Sequence, residues 1–210
     1  MSGYNPDRDL RIVAAMAAQV ERYLVEEPLY WPVAGRVRGG MPHLTVGGLL
    51  LRLQRLDALR NRLDPAGLDV LDAALAALQN ARQGWPTHYD RKIAQEWASR
   101  VGLLRDFLRD CEHAARDCLD DWPNRAEQRT ILHHLAAEAE ARRTLTDAQR
   151  ADLIAIDRDL RRFLLAGQEG AFLWSADLRP VYPSDPYWWL WVAPPTEEDL
   201  EARQEDRNGR

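Results

Sequence analysis

The chain has 210 residues, 46% of them hydrophobic and 29% charged, ordinary globular proportions that exclude wholesale disorder. Its longest apolar stretches, Val46 to Leu51 and Tyr187 to Ala193, fall far short of the roughly 20 residues of a membrane-spanning helix, and the N-terminus lacks a signal-peptide layout, so a cytoplasmic protein is expected. The net charge of −5 argues against a nucleic-acid binder.

In chain order, the spacing predicts six helices in one domain over residues 1–195. Asn5 caps and Pro6 opens a first helix carrying Leu10, Val13, Ala17, Val20 and Leu24, which Glu27-Pro28 ends. A second starts at Thr45 with Leu49, Leu53, Leu56 and Leu63 on one stripe. Asp64-Pro65 stops it and caps a third, carrying Leu68, Leu71, Leu75 and Leu78, which breaks at Gly84-Trp85-Pro86. The fourth is the longest, from Pro86 to Leu119. Its stripe of Trp97, Val101, Leu104, Leu108, Cys111, Ala115 and Cys118 steps by fours and threes as a heptad seam. Trp122-Pro123 then separates it from a fifth helix with Leu132, Leu135 and Ala139. A capping box at Thr146–Gln149 opens the sixth, with Leu153, Ile156, Leu160 and Leu164. The fold class is an all-α bundle with an irregular Gly/Pro/aromatic cap.

Two segments interrupt the helices. Residues Leu29–Val46 are rich in glycine and proline, and Phe172–Pro195 holds Trp174, Tyr182, Tyr187, Trp188, Trp189 and Trp191 among prolines. Val33–Val37 and Tyr187–Val192 have the β-branched and aromatic content of short strands, which admits a small two-stranded ribbon. If Tyr187, Trp189 and Trp191 point inward along such a strand, Trp188 and Leu190 point away. Residues 196–210 are charged, carry no apolar stripe and are expected to form a mobile tail.

Cys111 and Cys118, seven apart in one continuous helix, would lie about 10 Å apart, too far for a bridge. They are expected to be reduced and buried, in keeping with the cytoplasm and with their place on an apolar seam.

Three constellations carry chemical content. The first is the loop holding Gly35, Arg36, Arg38, Gly39, Gly40 and His43, leading to the helix start at Gly47 and Gly48. Six arginines stand between Arg36 and Arg62, and glycine amides, a helix N-terminus and guanidinium groups together suit a phosphate or carboxylate. It is not a Walker sequence, because no Lys-Ser/Thr follows the glycines. A Gly-rich turn whose arginines pair with the acidic remainder of the chain explains the same residues. Lys92 is the only lysine, and a GC-rich genome accounts for the arginine excess as readily as anion recognition does.

The second is His113 and Asp117 with His134 and Glu138, residues on two helices that could face one another across a metal. The chain lacks the paired Glu-x-x-His register of carboxylate-bridged sites, and solvated polar faces explain the same residues. The third is Tyr187, Trp188, Trp189 and Trp191, either a strap lying on the bundle or a surface for a partner.

No nucleophile elbow and no complete catalytic set is present. The expected function is therefore a non-catalytic protein-interaction or scaffold bundle with no cofactor, its partner a protein, a second copy of the chain included. The alternatives are an anion or nucleotide site in the Gly/Arg loop and a metal-dependent enzyme.

Overall fold

Asn5 accepts the Arg8 amide through its side-chain oxygen at 3.3 Å and Pro6 follows it, opening α1 (Pro6–Ala17). Thr45 and Asp64 do the same for α3 (Val46–Ala58) and α4 (Pro65–Gly84), accepting the amides of Gly48 at 3.0 Å and Gly67 at 2.7 Å. The capping box forms as expected before α7 (Asp147–Leu164): the Gln149 amide donates to the Thr146 hydroxyl, and the Thr146 amide donates to the Gln149 side chain. With α2 (Val20–Val25), α5 (Pro86–Cys111) and α6 (Ala115–Ala141), these make an all-α chain of seven helices, with no strand among the described residues. The structure is a computed structural model that describes residues 3–37, 39–111, 115–164, 170, 172–196, 198, 199 and 202, with the backbone alone at 115–117. Most of the expected tail after residue 196 lies outside the described residues. Among the described residues, no helix is long and apolar enough to cross a membrane.

The helix boundaries differ from the expected ones at four places. The second expected helix ends at Ala58 rather than at Asp64, and a 3₁₀ turn, Arg60–Arg62, carries the chain on, so Leu63 is not on its stripe. The first helix breaks at Ala18-Gln19, where Gln19 leaves the helical conformation and its side chain accepts the Trp31 indole N–H at 2.9 Å. The long fourth helix ends at Cys111, and Cys111 and Cys118 come to a Cα separation of 5.5 Å and form a disulfide. The expectation of two reduced thiols in one continuous helix is thereby corrected, because seven helical residues would hold the two Cα atoms about 10 Å apart. Finally, Trp122-Pro123 does not end a helix but lies within α6. A helix-interior proline costs about 3 kcal/mol. The fully buried Trp122, packed between the rings of Phe107 and Phe163, offsets that cost.

The chain falls into two compact units, residues 1–98 with 131–144, and residues 99–130 with 145–210. In the first, α1 packs on α3 and α4, and α2 packs on α4, burying Ile12, Val13, Met16, Tyr23, Leu24, Leu49, Leu56 and Leu71. The Gly/Pro-rich segment after α2 is closed by one antiparallel bridge, Trp31 to Leu44, with hydrogen bonds of 3.1 and 2.8 Å. Gly39 and Gly40 take positive φ beyond it, so Val33–Val37 forms no strand. Lys92 reaches this segment from α5. Its fully buried ammonium donates to the carbonyls of Glu26, Glu27 and Pro28 at 2.8, 3.3 and 2.9 Å and lies over the Tyr23 ring. Burial holds its pKa below the ordinary lysine value.

In the second unit, Phe107, Trp122 and Phe163 form an aromatic cluster, and the C-terminal aromatic segment meets α6 through Trp189 and α7 through Trp188. Trp188–Leu190 is a 3₁₀ turn, not a strand, which excludes the β-ribbon. The turn breaks the expected alternation: Tyr187, Trp189 and Leu190 are all buried, while Trp188 and Trp191 are half-buried. The reason lies in the polar atoms. The Trp189 indole N–H donates to the Thr130 hydroxyl at 3.0 Å, and its ring lies under the Arg129 guanidinium, which is bound through two nitrogens to Asp157 at 2.7 and 2.9 Å.

Trp189→Ala is expected to cost about 3–5 kcal/mol, because it opens a cavity and uncovers a buried guanidinium. Trp188→Ala, at a half-exposed ring beside Arg161, should cost much less. Urea unfolding of the two variants decides it, and equal losses would mean that the strap is not held by the inward tryptophan.

Candidate functional site

Helical spacing builds a cleft in the first unit. On α3, Leu50, Leu53, Gln54 and Asp57 fall at i, i+3, i+4 and i+7 and share a face; Leu75, Leu78 and Arg82 do so on α4, and His134, Ala137 and Glu138 on α6. The three faces line an open cleft of about 370 Å³, within the range of ligand-sized pockets. Leu53 and Leu78 are buried at its floor, and Leu50 and Leu75 are half-exposed at its mouth.

The polar edge is organised around Arg82. Its guanidinium donates to Glu138 at 2.6 Å and to the Tyr89 hydroxyl at 3.3 Å. Burial raises the Tyr89 pKa, with the Glu138 charge adding to it, so the phenol stays protonated. His134 is nearly buried, and desolvation brings its pKa down to about 3, with His133 and Arg55 pushing the same way. At neutral pH the cleft therefore holds a neutral imidazole and a carboxylate paired with Arg82, whose guanidinium also reaches the protonated Tyr89 phenol.

The Gly/Arg loop is placed differently from a ligand cradle. Arg36 and His43 are exposed, with the imidazole against the Tyr30 ring, and Arg38 lies outside the described residues. Gly47 and Gly48 are buried, and the amides that would receive an anion already have acceptors. The Gly47 amide donates to the fully buried Glu96 carboxylate at 2.8 Å and the Gly48 amide to Thr45. The negative charge at the α3 N-terminus is the protein's own.

Of the metal set, His113 lies outside the described residues, as does the Asp117 side chain. His134 and Glu138 both line the cleft, but Glu138 is bound to Arg82. Among the described residues, no group of three or more His, Cys, Asp or Glu could hold a metal ion. Tyr187 and Trp189 are buried in the second unit, and Trp191 donates its indole N–H to the Tyr182 carbonyl at 2.8 Å.

Sequence reasoning missed Gln54, Arg82 and Glu96. Arg82 and Glu96 each carry a signal of position: Arg82 sits one turn beyond Leu78 on the stripe of its helix and Glu96 directly precedes Trp97 on its own, where a charged side chain needs a partner.

His134 makes the pH dependence specific. Its folded pKa is depressed below the ordinary value of 6.5, so the unfolded chain binds the proton first. Stability should hold above about pH 6.5 and fall as the pH is lowered toward 3, with a slope of up to about 1.4 kcal/mol per pH unit from this one group. Urea unfolding of wild type and His134→Gln between pH 7 and 4 tests this. The variant should show a shallower slope, and parallel curves would remove His134 as the cause.

With this geometry described, comparison brings no outside guide: no protein family, no characterised protein and no solved structure matches the chain.

Proposed function

We propose that the chain is a non-catalytic protein-interaction module whose first unit seats an apolar helical segment of a partner protein in the α3–α4–α6 cleft. The single observation that carries this reading is a leucine-floored cleft in which each ionisable side chain is neutral or already paired: Arg82 with Glu138, Asp57 with Arg60, and a neutral His134. Leucines at i, i+3 on two neighbouring helices make a groove suited to the apolar anchors of a third. Glu138 is balanced by Arg82, and Arg60 is shared between Asp57 and Asp72, so the edge is negative by one. That favours a partner helix carrying lysine or arginine beside its leucines. The aromatic C-terminal segment has the smaller part in this reading, because Tyr187, Trp189 and Leu190 are consumed by the second unit's own core.

The test uses two designed helical peptides with the same leucine stripe, one with a lysine face and one with a glutamate face, titrated into the protein while leucine methyl signals are followed by NMR. The lysine peptide should shift Leu50 and Leu75 and bind at least about tenfold more tightly than the glutamate peptide, a difference of about 1.4 kcal/mol. Leu50→Glu with Leu75→Glu, at half-exposed mouth positions, should abolish the shifts while leaving the thermal midpoint close to wild type. Unshifted methyls at millimolar peptide, or equal binding by the variant, would sink the proposal.

A further inference from the structure

The Cys111–Cys118 bond and a continuous helix cannot coexist. Seven residues of helix would place the two Cα atoms about 10 Å apart. They lie at 5.5 Å, whereas a disulfide tolerates at most about 6.8 Å. Yet between Cys111 and Cys118 the sequence Glu-His-Ala-Ala-Arg-Asp holds no glycine or proline, and the heptad seam Leu108, Cys111, Ala115, Cys118 runs through it without a change of phase. The sequence therefore specifies a helix where the covalent bond forbids one.

Joining α5 and α6 into one helix would uncover particular surfaces. Within the second unit, Arg100 on α5 donates to Gln128 on α6, Phe107 stacks on Trp122 at 6.3 Å, and the Arg125 guanidinium lies over the Phe107 ring. A straight α5–α6 would strip all three contacts from one chain. The surface that restores each of them is α6 of another copy, which carries the same Gln128, Trp122 and Arg125.

We propose that the disulfide is a redox lock on self-exchange: oxidised, the chain is held as an α5–α6 hairpin; reduced, α5 and α6 join into one helix and two copies swap them reciprocally. The reductant is a dithiol. One of its thiolates attacks a cystine sulfur, taken here as that of the slightly more exposed Cys111, breaking the S–S bond and releasing Cys118 as a thiolate that takes up a proton. Its second thiolate then attacks the mixed disulfide and frees Cys111, so two electrons and two protons reach the protein and the dithiol leaves as its own disulfide.

The experiment refolds the full chain from denaturant at high concentration, with and without dithiothreitol, and measures mass in solution by light scattering. The oxidised chain should return as a monomer and the reduced chain as a dimer, as should Cys111→Ser/Cys118→Ser. In that double-serine background, spin labels at Leu103→Cys and Asn124→Cys, both on exposed positions, should lie about 32 Å apart within one chain of the dimer, the length of 21 helical residues. Replacing His113 and Ala114 with glycine in the same background should weaken the joined helix and shift the population back toward monomer. A reduced chain that refolds as a monomer overturns the proposal, and so does a dimer that forms equally from oxidised protein. A dimer whose intrachain labels stay close overturns it as well. If the serine variant does not fold, the reduced wild-type chain decides by mass alone.

Discussion

Gly47 is where α3 meets side chains of both α5 and α6, and the first unit is arranged around that approach. A Cβ at this position would lie 2.4 Å from the Ile131 Cγ2 on α6, closer than real Cβ contacts come, and 3.1 Å from Leu135, a tight contact. From the other side, the Glu96 carboxylate of α5 accepts the Gly47 amide while wholly removed from water. A buried carboxylate is costly unless it is well bonded, and a helix N-terminus is a backbone feature that favours it. Position and charge are thus set together. Because α3 begins there, Leu50 and Leu53, one to two turns on, are carried into place as the cleft wall.

The same logic disposes of most of the charged interior. Asp9 lies between Arg52 and Arg55 and accepts the Tyr4 hydroxyl, Arg129 is held by Asp157, and Arg82 by Glu138. Each of these groups fixes the position of one element against another. Arg82 with Glu138 joins α4 to α6 at the edge of the cleft, so the pair that lines it also sets the spacing of its walls.

The start of each helix was legible wherever a capping side chain announces it, as at Asn5, Thr45, Asp64 and Thr146, since capping is a local interaction between residues three apart. The ends that escaped were decided at long range. Nothing near Ala18 announces that Trp31 will take Gln19, and the helix-favouring run after Cys111 gives no sign that Cys118 will bond to it. Pro123 misled in the other direction: its local effect is outweighed by Trp122, whose partners Phe107 and Phe163 are far away in sequence. The aromatic segment was legible as a strap but not as a 3₁₀ turn, because the acceptors that choose its geometry, Thr130 and the Tyr182 carbonyl, do not advertise themselves in its own residues. Of the cleft, His134 and Glu138 were visible as an i, i+4 pair. Arg82, which fixes Glu138, becomes visible only once α4 and α6 are neighbours.

Lys92 adds a consequence for the chemistry of the chain as a reagent. A guanidinium, planar and forked, could not converge on three carbonyls as this compact ammonium does, so the position calls for lysine in a sequence that otherwise uses arginine. Every other basic side chain is inert to acylating reagents, and this one is sealed beneath the 26–28 carbonyls with no exposed surface. Acylation of its amine must therefore wait for that segment to lift. The rate at which the single lysine is labelled is a direct clock on how often the end of α2 parts from α5.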